Sequence, residues 1–247
     1  MSMAGLHVAD IGSDLADLAP STDRYAQRFS GPTGNWLLSR QTNALRTLIA
    51  PWPGSEVLDV GGGHGQIAAP LIADGHIVRV HASCEAALGR ARRLDPQPDL
   101  GVGPLMPLPY PDRSFDVVTS FRLLAHIGDW QGLLDEFCRV ARKAVIVDFP
   151  IPAGANTFQP ILLGLKKSLE TETRSFATIA TREIVARGAA NGFPLSEHIG
   201  QFVLPMVVHR TLRQPWLSER SERLLASAGL AHWLGSPVVL ALWRPDI

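Results

Sequence analysis

The sequence predicts an α/β protein built on a doubly wound, mostly parallel sheet, and three observations carry that expectation. Short apolar runs at 56–60, 77–80, 115–119 and 144–149 alternate with longer stretches of helical periodicity, the pattern of strands joined by crossover helices. The first run ends in Gly61-Gly62-Gly63-His64-Gly65, a glycine density that no regular strand or helix tolerates, so the chain must turn there. Helical spacing then resumes from Gln66 to Ala73. Strand, glycine turn and helix together are how such folds present exposed backbone N–H groups to a bound ligand.

Composition narrows the class. A chain of 247 residues with 46% hydrophobic content fits one large domain with a full core. Lys+Arg and Asp+Glu both number 23, and this balance argues against a nucleic-acid or anionic-membrane partner, which would select for accumulated positive charge. Cys84 and Cys138 form neither a metal-spaced pair nor a disulfide framework, so no metal site is expected. The N-terminus lacks the basic and apolar regions of a signal peptide. No stretch approaches the ~20 apolar residues that span a bilayer. A soluble, cytoplasmic protein is the expectation.

The elements follow in order. Residues 1–24 give no clear pattern. A helix is expected from about Asn35 to Ala50, with Trp36, Leu37, Leu38, Leu45, Leu48 and Ile49 on its buried stripe and Pro51 and Pro53 ending it. Glu56–Val60 is the first strand. Ile77–Val80 is the second, after the Asp74-Gly75 turn, and Ser83 should cap a helix reaching Leu94. Gly101–Gly103 is a short third strand. Four prolines between Pro104 and Asp112 make that stretch a stiff loop. Phe115–Thr119 is the fourth strand, Asp129 caps the next helix, and Ala144–Phe149 is a fifth, almost wholly apolar strand. Asn156–Glu170 is amphipathic, with Phe158, Ile161, Leu162, Leu165 and Leu169 on one face. Thr181–Asn191 reads as a helix. Phe202–Val208 reads as a strand that Pro205 confines to an edge or a bulge. Pro215–Ala228 reads as a helix, and Val238–Leu242 is the seventh strand.

The glycine spacing separates candidate ligands. A dinucleotide fingerprint starting at Gly61 would need glycine where Gln66 stands, and a P-loop would need a lysine that does not follow. What is present is Asp59-x-Gly61-x-Gly63-x-Gly65, which resembles the signature of class I S-adenosylmethionine-dependent methyltransferases. Leu108-Pro109-Tyr110-Pro111-Asp112-Arg113-Ser114-Phe115-Asp116-Val117-Val118 resembles the "LPFPDxSFDVV" stretch of the UbiE-type subgroup. Phe121-Arg122-Leu123-Leu124-Ala125-His126-Ile127 resembles the "xxxLxHI" stretch that follows it.

The resemblance covers roughly residues 55–243 and implies a seven-stranded Rossmann-like methyltransferase sheet. Its last strand would run antiparallel between the fifth and the sixth. S-adenosylmethionine is the implied cofactor. The loop Gly61, Gly62, Gly63 and Gly65 would wrap its methionine half, with Asp59 holding the amino group. The family's acid at the end of the second strand is replaced by His81, and the one after the third strand by Pro104. His81 and Ala82 are therefore expected at the ribose, and Leu105 and Met106 at the adenine. Phe121 is expected to border the same site, with Tyr25 and Arg28 covering it from the N-terminal segment. The "LKPGG" turn usual before the fifth strand is replaced by Ala141-Arg142-Lys143.

The regions implied are an N-terminal segment and helix (1–54), a cofactor-binding half (55–149), a cap insertion (150–180) and a half completing the sheet (181–247). Methyl transfer is an in-line displacement that needs alignment and, for a hydroxyl or amine acceptor, removal of a proton. His126, His209 and Asp148 are the candidate bases, each with an alternative reading as a packing or strand-end residue. The expected activity is methylation of a small molecule, with oxygen ahead of nitrogen or carbon as acceptor and a homodimer as one assembly. Two rivals remain: a cofactor-binding protein without turnover, and an NAD-dependent oxidoreductase.

Overall fold

A computed structural model describes residues 16–152, 177–212, 214–227, 229–230 and 234–245. Seven strands form one sheet: β1 Glu56–Val60, β2 Ile77–Ala82, β3 Asp99–Val102, β4 Phe115–Ser120, β5 Ala141–Phe149, β6 Leu195–Gly200 and β7 Val238–Trp243. Their order is β3-β2-β1-β4-β5-β7-β6. Strands β1 to β5 pair in parallel, and β7 runs antiparallel to both β5 and β6. The expected insertion of the last strand is therefore present, and β6 is at the edge.

Alternate residues of each strand feed separate cores on the two faces. Leu58, Val60, Val118, Val145 and Val147 pack with Leu133, Leu134 and Phe137 of the helix Trp130–Val140 and with Ile184 of the helix Thr181–Ala190. Val57, Val117, Ala144 and Ile146 pack on the other face with Leu45, Leu48 and Ile49 of the helix Gly31–Ile49. Helices of this length are marginal alone, so burial of these side chains, about 1.5–3 kcal/mol each, is what fixes them. The stiff loop before β4 is pinned from below by Arg139. Its guanidinium donates to the carbonyls of Leu108 and Tyr110 and to the carboxylates of Asp112 and Glu136.

Two expected elements are corrected. The segment after Ser83 is not one helix but two short 3-10 turns, Glu85–Leu88 and Ala91–Arg93. The Ala91 N–H, which a helix would direct at the Ala87 carbonyl, donates instead to the Gly63 carbonyl at 3.0 Å. Ser83 caps nothing, and its hydroxyl donates to Asp17. The sixth strand is Leu195–Gly200 rather than Phe202–Val208. The Glu222 carboxylate accepts the Val203 and Leu204 N–H groups at 2.8 and 2.9 Å, which removes them from any ladder. Pro205 then precedes a helix, Met206–Leu212. The amphipathic stretch 156–170 lies outside the described residues.

Candidate functional site

Strand order reverses between β1 and β4, and the carboxyl ends of those strands open the crevice in which such sheets bind ligands. Asp59, the next-to-last residue of β1, is fully buried there. Its Oδ1 accepts from the Thr119 hydroxyl on β4 at 3.1 Å, and its Oδ2 has no hydrogen-bond partner. Burial pushes this carboxyl up to about 7, with the Thr119 bond opposing.

The glycines are needed for close approach within the protein. A Cβ on Gly62 would overlap the Asp59 carboxylate, and one on Gly63 would overlap the backbone carbonyl of Ala87. Gly63 is thus kept small by its own chain. Gly63→Val should displace the 85–91 turns and lower the melting temperature by several degrees, as overpacking of about 1–3 kcal/mol implies. An unchanged melting curve would show that the turn yields freely.

A cavity of about 20 Å³ lies between the glycine loop, β4 and the N-terminal segment. Its lining comprises Pro20, Gln41, Asp59, Gly61, Gly62, His64, Gln66, Ile67, Phe121 and Arg122. Asp59, Gly61, Gly62 and Phe121 were expected from the sequence. Gln41, His64 and Arg122 were not expected as ligand groups. Arg122 follows β4 with φ 60°, and its N–H is held by Asp148 Oδ1 at 2.5 Å. The guanidinium stacks 4.1 Å from the centroid of Phe29 and donates to Gln41 Oε1. Gln41 Nε2 and His64 Nδ1 are buried without hydrogen-bond partners, as is Asp59 Oδ2. Burial, helped by the charges of Arg122 and Arg90, brings His64 down to about 4, so its imidazole is neutral at physiological pH. The cavity wall thus brings a buried carboxyl and a guanidinium together with unused neutral donors or acceptors. The one sequence signal for Arg122 was its place just beyond the carboxyl end of β4.

The remaining expected residues fall elsewhere. His81 is buried with both ring nitrogens engaged, Nδ1 with the Tyr110 hydroxyl at 3.0 Å and Nε2 with the Pro104 carbonyl at 3.1 Å. Burial lowers its pKa, opposed by the Pro104 bond. It ties β2 to the proline-rich loop, and no free ring nitrogen is left for a ribose. Ala82 and Leu105 are core residues, and Met106 packs partly buried against the core. Gly65 turns the end of the loop. Tyr25 stands edge-on to His64 at 6.1 Å, while Arg28 lies over the Tyr25 ring.

Of the candidate bases, Asp148 is buried and pushed up to about 6 by desolvation, and it positions Arg122. His209 is a helix residue rather than a strand end, fully buried against Glu222 with Nε2 3.0 Å from Oε1. His126 is half-buried on the turn Leu124–His126. None of the three lines the cavity. Among the described residues, no His, Cys, Asp or Glu cluster could hold a metal ion. No helix among them is long and apolar enough to cross a membrane.

The chain is similar to known proteins in sequence and in fold. Residues 58–147 match the family described as methyltransferase domain. A protein of Mycolicibacterium smegmatis, described as a probable S-adenosylmethionine-dependent methyltransferase, is 33% identical over 128 residues, 51% of this chain and 49% of its own. The 27-O-demethylrifamycin SV methyltransferase of Amycolatopsis mediterranei is 30% identical over 129 residues, 47% of either chain. The chain spans about half the length of the curated relatives it matches. The magnesium protoporphyrin IX methyltransferase of Synechocystis PCC 6803, solved with bound SAH, superposes with a TM-score of 0.63 at 16% identity, covering 90% of this chain and 93% of its own.

Proposed function

We propose that the protein, whose residues 58–147 match the methyltransferase domain family, is a class I S-adenosylmethionine-dependent methyltransferase that binds this cofactor and methylates a small molecule. The observation that carries this reading is the unpartnered Oδ2 of Asp59, buried at the end of β1 in a cavity that Arg122 also lines. An α-ammonium would satisfy the first group and an α-carboxylate the second, so the wall fits the amino-acid end of the cofactor. Gln41 Nε2 would add a donor to the carboxylate. The bound cofactor supplies a methyl group already activated on a sulfonium. The chain's own contribution is to hold that group in line with an acceptor and to exclude water from it.

Oxygen remains the first choice of acceptor atom, one that the name of the rifamycin methyltransferase fits and that of a sterol 24-C-methyltransferase among the relatives does not. Acceptor choice is assigned to the insertion 150–180, of which residues 153–176 lie outside the described residues. Its two ends support that assignment. Pro150 leaves β5 at the carboxyl end, where its carbonyl accepts the Ile179 N–H at 2.9 Å, and Ala177 N–H donates to the Ala125 carbonyl at 2.9 Å. The insertion therefore starts and returns beside the turn that carries His126, which is retained as the base for a hydroxyl acceptor.

Calorimetric titration of the full chain with S-adenosylhomocysteine and with NAD tests the reading. Binding of the adenosyl ligand with no response to NAD is expected. Binding of NAD alone would transfer the site to the oxidoreductase reading, against which Gln66 stands.

A further inference from the structure

The adenosine half of the cleft is filled by the chain itself. Asp17 is fully buried, and its carboxylate accepts the backbone N–H of Ser83 at 2.8 Å and the Ser83 hydroxyl. Ser83 is the first residue after β2. The same side chain lies over the end of β1, since a Cβ added to Gly61 would stand 3.5 Å from the Asp17 Cβ and 3.5 Å from the Cβ of Leu123, beyond β4. Asp17 thus sits where the carboxyl ends of β1, β2 and β4 converge, the place at which a sheet of this order binds a nucleoside.

The residues that follow hold it there. Ser21 Oγ donates to the Asp17 carbonyl at 2.7 Å and packs under the glycine loop, and Pro20 closes one wall of the remaining cavity. Asp23 receives Arg93 at 2.6 Å and also Arg90, tying the segment to the turns after β2. What is left open, about 20 Å³, has room for about one water molecule and none for a nucleoside.

The geometry points to an internal competitor: residues 16–21 plug the adenosine half of the cleft, with Asp17 occupying the Ser83 donors, and must leave before a nucleoside enters. The inference rests on the reading of this cleft as the S-adenosylmethionine site and adds a gate to it. The amino-acid half, with Asp59, Gln41 and Arg122, stays formed while the plug is seated. Affinity is then reduced by the fraction of molecules whose plug is out. Two hydrogen bonds to the Asp17 side chain, one of them from a backbone donor, help to hold the plug. Losing them should therefore raise the open fraction by about tenfold or more.

The test uses the full chain, as wild type, Asp17→Ala and Asp17→Asn, with S-adenosylhomocysteine as the probe. Calorimetry should give about tenfold tighter binding for Asp17→Ala, with Asp17→Asn between it and the wild type. Amide exchange of the unaltered wild type gives a second readout that needs no variant. Peptides covering 16–21 should be protected without ligand and should exchange faster when it is bound. Equal affinities, with 16–21 still protected in the complex, would overturn the plug and leave the cofactor reading standing. Weaker binding by Asp17→Ala would make Asp17 a cofactor ligand and also overturn the plug. Failure of folded wild type and folded Asp17→Ala alike to bind would overturn both readings. Binding by Asp17→Ala alone would support both.

Discussion

Asp59→Asn is expected to bind S-adenosylhomocysteine at least about tenfold more weakly than the parent at pH 8, with the difference gone by pH 5. Asp59 Oδ2 is buried without a partner, and only Thr119 bonds the other oxygen. Ionised, it is an uncompensated acceptor suited to an ammonium group. The amide keeps its shape and loses its charge. Because burial places the carboxyl at about 7, the parent is protonated at lower pH, and an ammonium ligand must displace that proton. Each pH unit below 7 should then cost the parent up to about tenfold in affinity.

The same shift gives an opposite prediction for stability. The folded pKa lies above the ordinary value of 3.8, so the stabilising contribution is fully present below about pH 4 and is lost as pH rises through about 7. An asparagine is neutral throughout. Ligand-free Asp59→Asn should therefore melt above the parent at pH 8, with the gap narrowing as pH falls and closing below about pH 4. A variant that binds as tightly as the parent at pH 8 would remove Asp59 from the site.

The second large effect is at Arg122. Arg122→Leu should weaken S-adenosylhomocysteine about 10- to 100-fold, the range for losing a charge-assisted pair of about 1.5–3 kcal/mol. It should leave 5′-methylthioadenosine, which lacks the amino-acid end, unchanged. Leucine inherits the positive φ of 60°, and the backbone N–H keeps its bond to Asp148, so both proteins carry the same backbone strain. The guanidinium stacked on Phe29 is the group removed. Equal losses for the two ligands would mean that Arg122 shapes the crevice instead of binding a carboxylate.

Which parts of this were legible in the chain follows from how local their causes are. Strands β1, β4, β5 and β7 could be read because buried parallel or central strands must be apolar along their length, and that constraint sits within each segment. The glycine loop was equally plain, since its backbone comes too close to Asp59 and Ala87 to leave room for a Cβ. Strand β6 was not, because an edge strand, paired only with β7 and largely exposed, carries polar residues such as Ser196 and Glu197 and shows no strong period. The apolar run Phe202–Val208 looked more strand-like, yet Glu222, about twenty residues away, takes its N–H groups.

The site divides in the same way. Asp59 and its loop were fixed locally, by a strand that ends in glycines. His81 occupied the sequence position of a ribose ligand, but Tyr110 and the Pro104 carbonyl claim its ring from a loop beyond β3. Arg122 and Gln41 meet only because the helix Gly31–Ile49 packs on the face of the sheet where β4 ends. Asp17 reaches Ser83 across 66 positions of chain. Segment type follows from short-range spacing of apolar and glycine residues, which the sequence carries by itself. Partners for buried polar groups are settled when distant segments are brought together and each desolvated donor or acceptor must be satisfied, and only the tertiary structure decides that.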